Sequence, residues 1–178
     1  MENKHTYSRS LTSEQAPRNT LAVGFIEGGI KLLPTVAPLW NKLTRHHAGI
    51  SLFFSDQFLS MQWPERRADL LEKARHGKLH IVLAQTAPKG TCVGYCVGAI
   101  NLKGHAEIES LFVTEKFRKQ SIGSALVQKV LDWFEREHAK SMMVNVAVGN
   151  EDAFKFYRQW GFYPRVTALV RKNKKVVS

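Results

Sequence analysis

The chain has 178 residues, 44% hydrophobic and 23% charged, the make-up of a soluble globular protein with room for one substantial core. No run of eighteen apolar residues exists, and the opening residues lack the apolar stretch of a secretory signal, so no membrane span and a cytoplasmic location are expected. The formal charge of +11 is uneven: residues 155–178 carry seven cations (Lys155, Arg158, Arg165, Arg171, Lys172, Lys174 and Lys175) and no carboxylate, which reads as a solvated basic end.

Two cysteines, Cys92 and Cys96, stand four apart in one apparent strand, too far along it for an easy disulfide, so they read as buried thiols. No His, Cys, Asp or Glu spacing suggests a metal site, so no metal is expected. The chain also lacks a helix-turn-helix, zinc or aromatic-basic signature, so nucleic acid is not an expected partner.

Three stretches are distinguished: a polar segment at 1–19, a folded domain at 20–172 and a basic tail at 173–178. The domain begins with a short strand at 21–26. A helix follows near Pro34 and Pro38, with Leu39 and Leu43 four apart, and fades by Gly49. Residues 50–63 bring Phe53, Phe54, Phe58 and Met61, read as core between two helices, with contact to a substrate as the alternative. His46 and His47 read as helix-end residues rather than as ligands or bases. The second helix spans 64–75, with Pro64 in its first turn and Gly77 as its stop.

Two apolar runs, 80–86 and 91–102, flank an Ala-Pro-Lys-Gly turn and predict a hairpin. A third strand, 107–113, alternates so that Glu107, Glu109 and Leu111 share one face while Ile108 and Phe112 share the other. A basic loop, residues 114–124, leads into a helix whose apolar stripe is Val127, Val130, Leu131 and Phe134, ending near His138. A buried strand at 141–148, a helix at 150–160 opened by Asn150 and stopped by Gly161, and a final strand at 165–171 complete the chain.

The loop carries the first chemical signal. Lys116, Arg118 and Lys119 stand beside the start of a helix near Gly123, where unpaired backbone N–H groups and the positive end of the helix dipole favour a phosphate or pyrophosphate. Upstream, two carboxylates on one strand face could take the proton of an ammonium substrate. Downstream, Ala153, Phe156, Tyr157 and Trp160 recur at helical spacing behind the cap Asn150, and Gly161 and Phe162 follow the helix.

Together these segments resemble the GNAT superfamily of N-acetyltransferases. Arg118, Lys119, Gln120, Ser121, Ile122 and Gly123 fill the places of its pyrophosphate loop, with Ser121 where Gly is usual, and 150–162 resembles its closing motif. The likeness is strongest over the last 75 or so residues and topological before them.

The resemblance implies an α/β (α+β) fold with a mixed central sheet of about six to seven strands, about four flanking helices, and splayed strands 4 and 5. It implies acetyl-CoA as cosubstrate and a small-molecule or peptide amine as acceptor, with transfer by direct attack and no covalent intermediate. By resemblance, Tyr157 is the acid that protonates the departing thiolate, and Glu107 or Glu109 receives the amine proton. The coenzyme would lie against Arg118, Lys119, Gln120, Ser121, Ile122, Gly123, Ser124, Asn150 and Tyr157, and against the main chain of Leu111, Phe112 and Val113 on a bulged, splayed strand. A noncatalytic acyl-CoA sensor or partner-binding domain is the alternative, and a homodimer is left open.

Overall fold

The computed structural model describes residues 22–87 and 90–171. Five strands form one sheet in chain order: β1 Val23–Gly28, β2 Gly77–Thr86, β3 Thr91–Asn101, β4 His105–Val113 and β5 Ser141–Val144. The first four are antiparallel, and β5 joins β4 in parallel. Between β1 and β2 lie a single 3-10 turn and three helices, α1 Leu33–Ile50, α2 Ser55–Ser60 and α3 Trp63–Arg75. α4 Ile122–Arg136 links β4 to β5, and α5 Glu151–Arg158 follows. No described helix is long and apolar enough to cross a membrane.

The apolar runs of β2 and β3 are buried because helices cover both faces of the sheet. On one face Val82, Cys96, Ile100 and Ile108 meet Leu126, Val130 and Phe134 of α4, with Tyr157 at the margin. On the other, Ile81, Leu83, Tyr95 and Val97 meet Val36, Leu39 and Trp40 of α1 and Leu70 of α3. Gly98 lets α4 lie tightly on β3, since a Cβ there would stand 2.6 Å from Val130 Cγ1 and 2.9 Å from Phe134 Cε1. α4 ends where His138 takes φ +56°, with Ala139 N donating to Phe134 O and His138 N to Glu135 O, the paired bonds of a Schellman stop.

Several expectations change. Residues 162–171 form no strand, and Val166, Leu169 and Val170 lie exposed, so the described sheet has five strands rather than six or seven. The expected strand at 141–148 stops at Val144. The 50–63 segment holds a helix of its own, α2, and of the side chains expected in the core Phe53 and Met61 are exposed while Phe54 and Phe58 are half-buried. Residues 1–19 and 173–178 lie outside the described residues.

Candidate active site

The cleft begins with an irregularity in β4. Val97 pairs with Ser110, but its neighbour Gly98 pairs with Ile108, so Glu109 is the extra residue of a β-bulge. A bulge resets side-chain alternation. Ala106 and Ile108 face α4, and so do Leu111 and Val113, whereas Phe112 packs on the α1 and α3 face with Tyr95 and Val97. The expected grouping of Leu111 with the two carboxylates, and of Phe112 with Ile108, is therefore corrected: a strict period of two fails across the extra residue.

Pairing of β4 with β5 stops at Ile108 and Val144, yet β4 continues to Val113. The two strands part there and leave a cavity of about 1080 Å³. Its walls are residues 109–113 of β4, residues 144–147 after the parting, Leu43, His46, His47 and Ile50 of α1, and Asn150, Ala153, Phe156 and Tyr157 of the last helix region. A strand edge without a neighbour offers its N–H and C=O groups to an extended ligand.

The basic loop closes one end. Arg118, Lys119, Ser121, Gly123 and Ser124 line the cavity. Lys119 and Ser121 both hold φ +59°, and Ser121 is the residue preceding α4. Left-handed backbone costs a non-glycine residue about 1–2 kcal/mol, which gives a physical reason for Gly at the Ser121 place in the resembling motif. Ser121 O accepts from Ala125 N, while the amides of Ile122, Gly123 and Ser124 are the first of the helix and have no intrahelical acceptor. A Cβ at Gly123 would meet Phe156 and Val113 at ordinary contact distances of 3.5 to 3.8 Å, so a small side chain fits there.

Arg118 is held by a bond from Nε to Val113 O at 3.0 Å and lies over the Phe112 ring at 5.6 Å. The side chains of Gln120 and Ile122 do not line the cavity. Gln120 folds back to donate to Lys116 O, and Ile122 is buried in the core, so only their main chain can face a ligand.

α5 is positioned by its cap. Asn150 Oδ1 accepts from Ala153 N at 3.3 Å, and Glu151 and Asp152 complement the helix start. Tyr157 lies two turns on, buried, with its ring edge-on to Phe156 and Phe162. Burial, reinforced by Cys96 and Tyr95, pushes the phenol above its usual range, so it stays protonated at neutral pH.

The two carboxylates are placed differently. Glu109 lines the cavity but its side chain is only 3% exposed, and both oxygens are taken: Arg66 Nη2 lies 3.0 Å from Oε2 and Lys73 bonds Oε1. Burial works against the Lys73 ammonium, but the nearby carboxylates, Glu109 first among them with Glu107 and Asp69, together outweigh it and raise the Lys73 pKa. Glu107 does not line the cavity; it accepts from Asn145 Nδ2 at 2.6 Å and lies 3.7 Å from Lys73.

Beneath the bulge, the buried phenol of Tyr95 is pushed up by burial and eased by Ser110. The Tyr95 and Ser110 hydroxyls nonetheless fall short of hydrogen-bond geometry with any partner among the described residues.

The sequence from residue 47 to residue 162 matches the Acetyltransferase (GNAT) family. The chain belongs to that family. Streptothricin acetyltransferase A of Bacillus subtilis is 30% identical over 74 residues, 42% of this chain and 43% of that protein. The uncharacterized N-acetyltransferase MJ1207 of Methanocaldococcus jannaschii is 35% identical over 57 residues, 32% of this chain and 25% of that protein. The matched stretches thus span less than half the length of these curated relatives.

Among solved structures, a putative acetyl transferase from Pyrococcus furiosus superposes with a TM-score of 0.66 at 19% identity, covering 85% of this chain and all of that one. The acetyltransferase AAC(6')-Iy, solved with a bisubstrate analogue of CoA and acetylneamine, superposes with a TM-score of 0.59 at 16% identity, covering 86% and 99% of the two chains. These likenesses establish a GNAT fold, in which the bulge and splay of β4 are the expected features.

His46 and His47 are cavity-lining residues that the sequence did not single out as part of the site. Both imidazoles are held below their ordinary pKa, chiefly by burial, with Arg118 adding to the effect on His46 and His46 to that on His47. The signal that could have found them is their place at the end of α1, His47 in its last turn and His46 just before, which the chain brings against the cleft through Ile50.

Proposed function

We propose that the protein is an acetyl-CoA-dependent N-acetyltransferase that moves the acetyl group to a primary amine by direct attack in a ternary complex. The observation that carries this reading is convergence on one cavity: an anion-seeking helix start with Arg118 and Lys119, an open strand edge beyond Ile108, and a protonated Tyr157 all line it. The helix start suits the coenzyme's diphosphate, and the β4 edge at 111–113 suits the amides of its pantetheine arm.

A thioester placed there would have its carbonyl polarised by main-chain N–H groups, and Tyr157 would donate a proton to the sulfur as the C–S bond breaks. Direct attack accords with the cysteines. Cys96 is fully buried with its thiol pushed far up, Cys92 is half-buried with its thiol raised, and neither lines the cavity. For the acceptor, the relatives suggest a small-molecule amine, given one named for streptothricin and another solved with an acetylneamine conjugate.

Thiol release from acetyl-CoA, followed with streptothricin, neamine and an alanine-terminated peptide as amines, tests the reading. Amine-dependent release with at least one of them is expected. Tight acetyl-CoA binding with no release for any amine would favour a noncatalytic sensor instead.

A further inference from the structure

Acetyl transfer to an amine needs a proton acceptor, because the amine arrives as an ammonium ion without a free lone pair. Three carboxylates line the cavity; Glu151 and Asp152 stand exposed in the first turn of α5, where they complement the helix start, and Glu109 is poorly suited. Both Glu109 oxygens are engaged, by Arg66 and by Lys73, and protonating it would break a buried ion pair.

His47 is differently placed. It lines the same cavity as Glu109 and Tyr157, and its ring packs edge-on against Phe58 of α2 at 5.2 Å between centroids. Among the described residues neither ring nitrogen is engaged in a hydrogen bond. Its backbone oxygen anchors Ser51 N, so the ring stands where α1 ends. Three residues on, Ile50 O lies 2.6 Å from where a Cβ of Gly149 would stand, which fixes this end of the helix against the segment leading to Asn150 and Tyr157.

We infer that His47, rather than Glu107 or Glu109, accepts the proton of the acceptor ammonium in the acetyl-transfer reaction; the inference rests on the acetyltransferase reading above. The balance is R–NH3+ plus acetyl-S-CoA giving R–NH–CO–CH3, HS-CoA and H+. Of the two protons nitrogen loses, one passes through the His47 imidazole to solvent. The other is lost after the N–C bond forms and replaces the proton that Tyr157 has given to sulfur. Burial keeps the imidazole neutral at pH 7, so it has a lone pair to offer. The ionisable groups that line the cavity with it are His46 on its own helix, Glu109 on β4, Arg118 and Lys119 in the loop, and Glu151, Asp152, Lys155 and Tyr157 on α5; Asp56 stands in the first turn of α2, whose Phe58 packs on the ring.

The test is the pH profile of kcat/KM for the native protein, His47→Gln, Glu107→Gln and Glu109→Gln, with the fastest amine of the panel above and saturating acetyl-CoA. The native rate should rise with pH through an apparent pKa below the ordinary histidine value. His47→Gln should lose that limb and about 100-fold in kcat, keep acetyl-CoA affinity by calorimetry, and regain rate with added imidazole. His47→Asn serves if the glutamine variant does not fold. An unchanged limb and rate in the His47 variants, or a limb lost in either glutamate variant alone, overturns the inference. Absence of native turnover with every amine overturns the acetyltransferase reading and this inference with it, whereas native turnover that ignores His47 sinks the inference alone.

Discussion

Tyr157→Phe is expected to lower turnover by about 100- to 10,000-fold, the range spanned by a positioned general acid, while leaving acetyl-CoA affinity within about twofold. The substitution removes one oxygen from a ring that is 7% exposed and packed edge-on between Phe156 and Phe162. Ring packing survives, so folding stability should move by less than about 1 kcal/mol.

The pH dependence follows from the direction of the shift. Because burial raises the phenol pKa, its acidic form persists to higher pH than a free tyrosine, so ionisation of Tyr157 should not limit the native rate below pH 10. Steady-state thiol release and a calorimetric titration check both halves. Unchanged turnover in the variant, or a native alkaline limb below pH 10 that the variant lacks, would remove Tyr157 from the role.

Gly149→Ala is expected to destabilise the fold by about 2–4 kcal/mol, beyond what backbone strain alone imposes. Gly149 holds φ +92°, and a Cβ there would stand 2.6 Å from Ile50 O, a backbone atom with little room to retreat. Gly161 is the natural control. It holds φ +78° with nothing within 4 Å of the added carbon, so Gly161→Ala should show only the strain, about 1–2 kcal/mol. The difference between the two in urea unfolding reports the contact between the end of α1 and the segment before α5.

That contact joins two cavity walls, so Gly149→Ala should also weaken acetyl-CoA binding, whereas Gly161→Ala should not. Equal losses in the two variants would show that the junction contributes nothing.

Much of this architecture is legible in the chain because local signals agree with the fold. Pro34 opens α1, Pro64 opens α3, Asn150 caps α5, and the stripe of Val127, Val130, Leu131 and Phe134 becomes the buried face of α4. The misreadings share a cause in long-range structure. The bulge at Glu109 is set by pairing with β3, and local alternation cannot reveal an extra residue, so the faces of Leu111 and Phe112 came out reversed.

Residues 165–171 have the composition of a strand, but β-preference reflects packing against neighbours, and this stretch lies exposed without a partner among the described residues. The strand expected at 141–148 ends at Val144 because β5 parts from β4 there to open the cleft. His47 read as a plain helix end because its place on the cavity wall depends on what α1 meets in space.

The central claim is that the turn from Arg118 to Ser124 and the parted edge of β4 together hold acetyl-CoA. A crystal structure of the protein soaked with acetyl-CoA tests it most directly. Diphosphate oxygens are expected on the main-chain amides at residues 121–124 beside Arg118, with the pantetheine arm paired along 111–113 and the sulfur within hydrogen-bond reach of the Tyr157 hydroxyl. Diphosphate bound elsewhere, or a thioester remote from Tyr157, would contradict it.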